Sequence, residues 1–194
     1  MILYLHGFRS SPLSFKARLL GERLHALGLG DTYVCPQLPA SPCLAIDLAR
    51  QLIGQASPNE VTLIGSSLGG YYATWLAEQS GCRAVLLNPA VKPPRDLEQY
   101  VGVRTAFHSD EPFEFKQEYI AELQALAVPR ITRPERYFLI AATGDEVLDW
   151  REMTAHYAQA RQHIIDGSDH GLSDFAGYVD EVLAFCGVVS GGHR

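Results

Sequence analysis

Glu60-Val61-Thr62-Leu63-Ile64-Gly65-Ser66-Ser67-Leu68-Gly69-Gly70 decides how the rest of the chain is read. Val61 to Ile64 is an apolar and β-branched run, which fits a short strand buried on both faces. Gly65-x-Ser67-x-Gly69 follows at once, and Leu68 to Gln79 has a helical pattern. A serine at such a strand-to-helix corner is held in a strained turn with its hydroxyl pushed out of the sheet edge. A Cβ at Gly65 or Gly69 would collide with neighbouring backbone as the helix folds back over the strand. The pattern alone recurs by chance; the strand before it and the helix after it give it meaning. The bland alternatives are a glycine-rich turn that packs a helix on a sheet, or a phosphate-binding corner. Against the second, the G-x-G-x-x-G spacing and the Walker lysine are both absent. Ser67 is the candidate nucleophile.

On the N-terminal side, Ile2 to Leu5 reads as a central strand running into His6-Gly7-Phe8. Ser11-Pro12 predicts a helix start, with an apolar stripe of Leu13, Ala17, Leu20, Leu24 and Leu27. Thr32 to Cys35 is a second strand, and Ser41-Pro42 opens a second helix with Leu44, Leu48 and Leu52 on its face. On the C-terminal side, Ala84 to Leu87, Tyr137 to Ala142 and His163 to Ile165 complete the strands. Helices are predicted near Trp150 to Ala158 and from Ser173 or Asp174 onward, with Phe175, Val179, Val182 and Cys186 on one face. The tail from Gly187 to Arg194 is expected to fray. Strand and helix alternate six times, which predicts a parallel sheet covered on both faces. Right-handed crossovers then bring the loops holding His6, Ser67, Asp145 and His170 to one edge.

Residues 89–135 break this alternation. Pro89, Pro93, Pro94, Pro112, Pro129 and Pro134 punctuate the segment, and only Phe115 to Ala127 has a helical pattern. Glu114, Glu118 and Glu122 would share a solvated face of that helix. A connection of this length commonly carries function, so a lid-like insert is expected.

At 194 residues the chain suits one domain, 1–194, with a full core. A hydrophobic fraction of 47 % and a charged fraction of 20 % are those of an ordinary globular chain. The net charge of −6, without a basic run, argues against nucleic acid and anionic membranes as partners. Met1 enters a strand directly, so no signal peptide is expected, and no apolar run is long enough to span a bilayer. Cys35, Cys43, Cys82 and Cys186 lack C-x-x-C spacing and read as reduced thiols of a cytoplasmic protein rather than disulfides or zinc ligands.

A serine hydroxyl needs a base to take its proton, and the base needs a third group to fix its tautomer. Ser67, Asp145 and His170 supply these in chain order, each after a strand. His6 is the best rival base, though its place beside the nucleophile strand suits loop shaping. Asp149 is the rival acid, and it equally fits a helix N-cap. Asp166 and Asp169 adjoin His170 and read as turn formers; with only one histidine among them they make a poor metal site, and no metal or cofactor is expected. An oxyanion would be met by the amides of Leu68 and Phe8, with Gly7 allowing close approach.

His6-Gly7-Phe8, Gly65 to Gly70, Gly144-Asp145-Glu146-Val147-Leu148-Asp149 and Asp169-His170-Gly171 resemble α/β-hydrolase motifs. More narrowly, nearly the whole chain is similar to the small bacterial YqiA-type esterases. The resemblance implies ester hydrolysis, with acyl-thioester cleavage as a further capacity, and a minimal α/β-hydrolase fold. It also implies a six-stranded sheet of order 2-1-3-4-5-6. The expected substrate is a small ester or thioester entering over the insert, where Phe107, Phe113, Phe115 and Tyr119 would line an acyl pocket or pack a lid. His6 and Gly7, with Phe113 and Phe115, are the candidate substrate-binding residues. A small serine peptidase or amidase, and a hydrolase-fold binder without turnover, are the alternatives.

Overall fold

The computed structural model describes residues 1–108 and 112–188. Its main sheet contains β1 (Ile2–Leu5), β2 (Tyr33–Val34), β3 (Thr62–Ser66), β4 (Arg83–Leu87), β7 (Tyr137–Ala142) and β8 (Arg161–Ile165). All neighbours pair in parallel, in the order β2-β1-β3-β4-β7-β8. Counting only these strands, the order is the expected 2-1-3-4-5-6. β5 (Gly102–Thr105) and β6 (Pro112–Phe115) form a separate antiparallel pair inside the insert.

Alternate residues of each strand feed two cores. Leu3, Leu5, Leu63, Leu86 and Leu139 face one way with α2 (Pro42–Ile53), α3 (Leu68–Ser80) and α6 (Trp150–His156). Ile2, Tyr4, Ile64, Val85 and Phe138 face the other way with α1 (Phe15–Ala26) and α7 (Val179–Phe185). Burial on both faces explains why these strands are continuous apolar runs instead of alternating ones. Among the described residues, no helix is long and apolar enough to cross a membrane. The four cysteines are free, with Cys82 buried and Cys43 exposed.

Several boundaries differ from expectation, each for a local reason. The first helix begins at Phe15, three residues beyond Pro12, because the Ser11 hydroxyl accepts from Leu13 N–H and closes a turn there. Leu13 is therefore 62 % exposed, and Ala17, Leu20 and Leu24 carry the buried stripe. In α2 the buried face is Ala45, Ile46 and Ala49, while Leu44 is exposed; small side chains let that helix lie close to the sheet. The Ser41 hydroxyl caps α2 as expected, accepting from Leu44 N–H at 3.2 Å.

The final helix is preceded by a short 3-10 turn at Phe175–Gly177. It ends in a left-handed Gly187, with Val188 N–H returning to the Leu183 carbonyl at 2.9 Å. The tail is thus ordered to Val188, and residues 189–194 lie outside the described ones.

The insert holds more structure than its prolines suggested. It contains α4 (Pro93–Leu97), the β5–β6 pair and α5 (Glu118–Ala125), so Phe115 ends a strand and does not start a helix. Glu122 is not on a solvated face. Its carboxylate accepts from the Ser41 hydroxyl at 2.7 Å and the Cys43 amide at 2.9 Å, which ties α5 to the positive end of α2. A second tie joins α4 to α6, where the Arg95 guanidinium donates to both oxygens of Glu152 at 2.9 Å.

Candidate active site

Ser67 follows β3 directly and adopts φ 52° and ψ −120°, a left-handed backbone rare for a side-chain-bearing residue. This corner exists because its neighbours lack side chains. A Cβ at Gly65 would come within 2.6 Å of Gly70 Cα, and one at Gly69 within 2.7 Å of the His6 carbonyl oxygen. The tight turn leaves Ser67 Oγ beyond the carboxyl end of the sheet, facing the loops that follow β7 and β8.

His170 comes from the loop after β8, and its Nε2 lies 3.0 Å from Ser67 Oγ. Its Nδ1 lies 2.8 Å from Asp145 Oδ2. The other oxygen of Asp145 accepts the amides of Val147 and Leu148 at 2.9 and 2.8 Å, so the carboxylate is held from both ends. The Asp145 side chain is fully buried and that of His170 is 21 % exposed. With Nδ1 donating to the carboxylate, Nε2 is left as an acceptor aimed at the serine. The structure therefore brings together three side chains separated by 78 and 25 positions in the sequence. Asp149, the rival acid, caps α6 by accepting from Arg151 N–H at 2.9 Å.

His6 has a different place. It is 4 % exposed, accepts from Leu38 N–H at Nε2 at 3.0 Å, and lies with Nδ1 2.9 Å from the Gly7 carbonyl. Burial lowers its pKa, so the neutral ring is favoured. It shapes the turn after β1 with both ring nitrogens engaged, which corrects its assignment to substrate binding. Phe115 needs the same correction, since it is wholly buried beneath Phe8, ring centroids 5.1 Å apart. Phe113 meets Phe8 edge-on at 5.2 Å, and Tyr119 packs on Phe115 at 5.6 Å. These aromatics wedge the Phe8 ring, and with it the backbone turn carrying the Phe8 amide. Gly7 sits where a Cβ would come within 3.2 Å of Ser67 Cβ.

A cleft of about 300 Å³ opens over Ser67 and His170. Phe8, Leu97, Tyr100, Val147 and Leu148 make it largely apolar, and Phe107 stands at its edge, 63 % exposed. Leu97 and Tyr100 belong to the insert, which thus forms one wall. Phe8 and Leu68 also line the cleft. Among the described residues, no acceptor is paired with either of their backbone amides.

Asn88 was not singled out by its sequence context beyond ending a strand. It is fully buried; its Nδ2 donates to the carbonyls of Asp169 and His170 at 3.0 and 3.1 Å, and its Oδ1 accepts from Ala142 N–H at 2.9 Å. Glu146 accepts from the His170 amide at 3.0 Å. The only signal for Asn88 was an asparagine at a strand end before Pro89, a residue type that tolerates its φ of 41°.

The architecture is shared with solved structures. A mouse protein, alpha/beta hydrolase domain-containing protein 10, superposes with TM-score 0.69 at 15 % identity, covering 94 % of this chain and 89 % of that one. Est1E from Butyrivibrio proteoclasticus, in a structure with ferulic acid bound, gives TM-score 0.69 at 14 % identity over 94 % and 87 %. An esterase domain from Rhodothermus marinus gives 0.63 at 20 % identity over 94 % and 83 %. The fold is that of the α/β-hydrolases. Residues 1–187 match the family described as "Uncharacterised protein family (UPF0227)", and the chain belongs to that family.

Proposed function

We propose that this protein is a serine hydrolase that cleaves carboxylic esters, and acyl thioesters by the same route, through an acyl-enzyme on Ser67. The observation that carries this reading is the continuous relay of Ser67 Oγ, His170 and Asp145 at 3.0 and 2.8 Å beside an apolar cleft. Binding alone gives no reason to hold a hydroxyl, an imidazole and a carboxylate in line on a strained corner.

As Ser67 Oγ attacks the carbonyl carbon, its proton passes to His170 Nε2, and the imidazolium is stabilised by Asp145. The carbonyl oxygen gains negative charge where the free amides of Phe8 and Leu68 can donate to it. Collapse of this intermediate breaks the ester bond, and the proton on Nε2 leaves with the alcohol or thiol. Water, deprotonated by the same nitrogen, attacks the acyl-enzyme, releases the acid and restores Ser67. Phe113 supports the cleft from behind Phe8. Residues 1–194 act as one domain, in which the insert at 89–135 is a lid-like wall over the acyl group.

Hydrolysis of p-nitrophenyl esters of graded chain length by wild type and Ser67→Ala, with fluorophosphonate labelling, tests the reading. Turnover and a covalent adduct confined to wild type are expected. Equal rates for the two proteins would remove Ser67 from the mechanism. An unlabelled wild type would favour a binding protein, and activity on amides alone would mark a peptidase or amidase.

A further inference from the structure

A second cavity, of about 200 Å³, shares Ser67, His170, Phe8 and Phe107 with the apolar cleft but also has a cluster of polar side chains on its wall. Ser10, Ser14, Lys16 and Ser66 line it. Lys16 is 9 % exposed, unusual for an ammonium group, and Nζ donates to the Gly171 carbonyl. An ammonium carries three N–H donors. Among the described residues no second protein acceptor is bonded to this one. The carboxylates of Asp145 and Asp169 act on Lys16 only through space, and both are engaged elsewhere, with His170 and with the Ser173 amide. Burial pushes the Lys16 pKa down to about 8, which leaves it mostly charged at neutral pH.

Ser14 is the second anomaly. It stands at the N-cap of α1, where a serine hydroxyl ordinarily accepts from a first-turn amide, yet it makes no such bond. Its Oγ is buried and has no partner in full hydrogen-bond geometry, though it lies close enough to the Tyr4 phenol to interact with it. Leaving a buried hydroxyl unpaired costs stability, so its exceptions call for a physical reason. An incompletely satisfied ammonium and an unpaired hydroxyl on the walls of one cavity supply donors for an oxyanion. The single positive charge, with two carboxylates nearby, suits a monoanionic carboxylate better than a dianionic phosphate.

We propose that Lys16 and Ser14 form an anion subsite, and that the ester cleaved at Ser67 carries a carboxylate seated there. This rests on the serine-esterase reading and narrows its substrate to half-esters of dicarboxylic acids or hydroxy acids acylated on their hydroxyl. The apolar cleft takes the remainder of the molecule.

Two pairs of esters matched in length test it: monoethyl glutarate against ethyl hexanoate, with charge on the acyl side, and 4-acetoxybutyrate against pentyl acetate, with charge on the alcohol side. Wild type should prefer the charged member of at least one pair by about tenfold or more in kcat/KM. Lys16→Met should bring that ratio close to one, and Ser14→Ala should lower it without abolishing it. No preference in either pair would overturn the proposal. So would equal loss on charged and neutral esters in both variants, which would reduce Lys16 to a prop for the His170 loop through Gly171.

If wild type cleaves none of the four and takes no fluorophosphonate label, the esterase reading itself fails. Calorimetric titration of monoethyl glutarate into Ser67→Ala then decides the subsite. Binding that is lost on adding Lys16→Met supports it, and absent or unaltered binding removes it.

Discussion

Gly144 lies against the Ser168 carbonyl so closely that a Cβ at 144 would overlap that oxygen and come within 2.9 Å of the Gly167 oxygen. The Gly144 amide donates to the Gly167 carbonyl at 2.8 Å. The turn that carries Asp145 and the loop that carries His170 are therefore one packed unit, and the distance between carboxylate and imidazole is set by a missing side chain. Gly144→Ala should cost about 1–3 kcal/mol of stability through overpacking. It should also lower kcat more than it raises KM, measured by denaturant unfolding and ester kinetics on the same preparation. Wild-type kcat in that variant would separate the two loops.

The backbone of Ser67 supports a second expectation. At φ 52° and ψ −120° a side chain is strained, while glycine is at ease. Ser67→Gly and Ser67→Ala both lack the hydroxyl, so they differ only in the Cβ. The glycine variant should be the more stable by about 1 kcal/mol. Equal unfolding midpoints would show that the corner relaxes at no cost.

Asn88 bridges β4, β7 and the His170 loop through three hydrogen bonds. Asn88→Ala leaves the buried Ala142 N–H without its acceptor, and about 2–3 kcal/mol should be lost. Since Asn88 acts through the backbone of His170, the kinetic effect should fall on kcat with KM little changed. An effect on KM alone would move Asn88 from positioning His170 to shaping the cleft.

Stability should depend on pH through His6 and His156, whose pKa values are lowered from 6.5 by burial. Below pH 6.5 the unfolded chain binds protons at these positions that the folded chain does not take up until lower pH. Unfolding then gains protons, so folding stability is fully present above this range and falls as pH drops through it. Chemical denaturation at pH 7.5, 6.5 and 5.5 should show a declining midpoint, and His6→Gln should flatten part of the decline. A midpoint independent of pH would contradict the lowered pKa of both rings.

Glu122 sits at the N-terminus of α2 and accepts from Ser41 and Cys43. Glu122→Ala should cost about 1 kcal/mol and loosen the insert from α2. Limited proteolysis should then cleave within residues 89–135 faster than in wild type. An unchanged digestion pattern would leave the Arg95–Glu152 pair as the tie that matters.

Much of this molecule was legible as a string of residues. Strands buried on both faces must be continuous apolar runs, so Ile2–Leu5, Val61–Ile64 and Tyr137–Ala142 announced a covered parallel sheet. Gly65 and Gly69 announced the corner because only glycine fits where helix and strand backbones touch. Parallel strands all end at one edge, and so the order Ser67, Asp145, His170 was enough to predict which groups would meet.

Contacts between distant segments left no such periodic trace. That Glu122 caps a helix some eighty positions earlier, or that His6 is spent on Leu38 while His170 reaches Ser67, depends on where separate loops come to rest. The same holds for Lys16 and Ser14, which sequence pattern did not single out and which the loop after β8 meets through the Lys16–Gly171 hydrogen bond. Local pattern chose the elements; side-chain packing across long sequence separations chose which polar groups were satisfied and which were not.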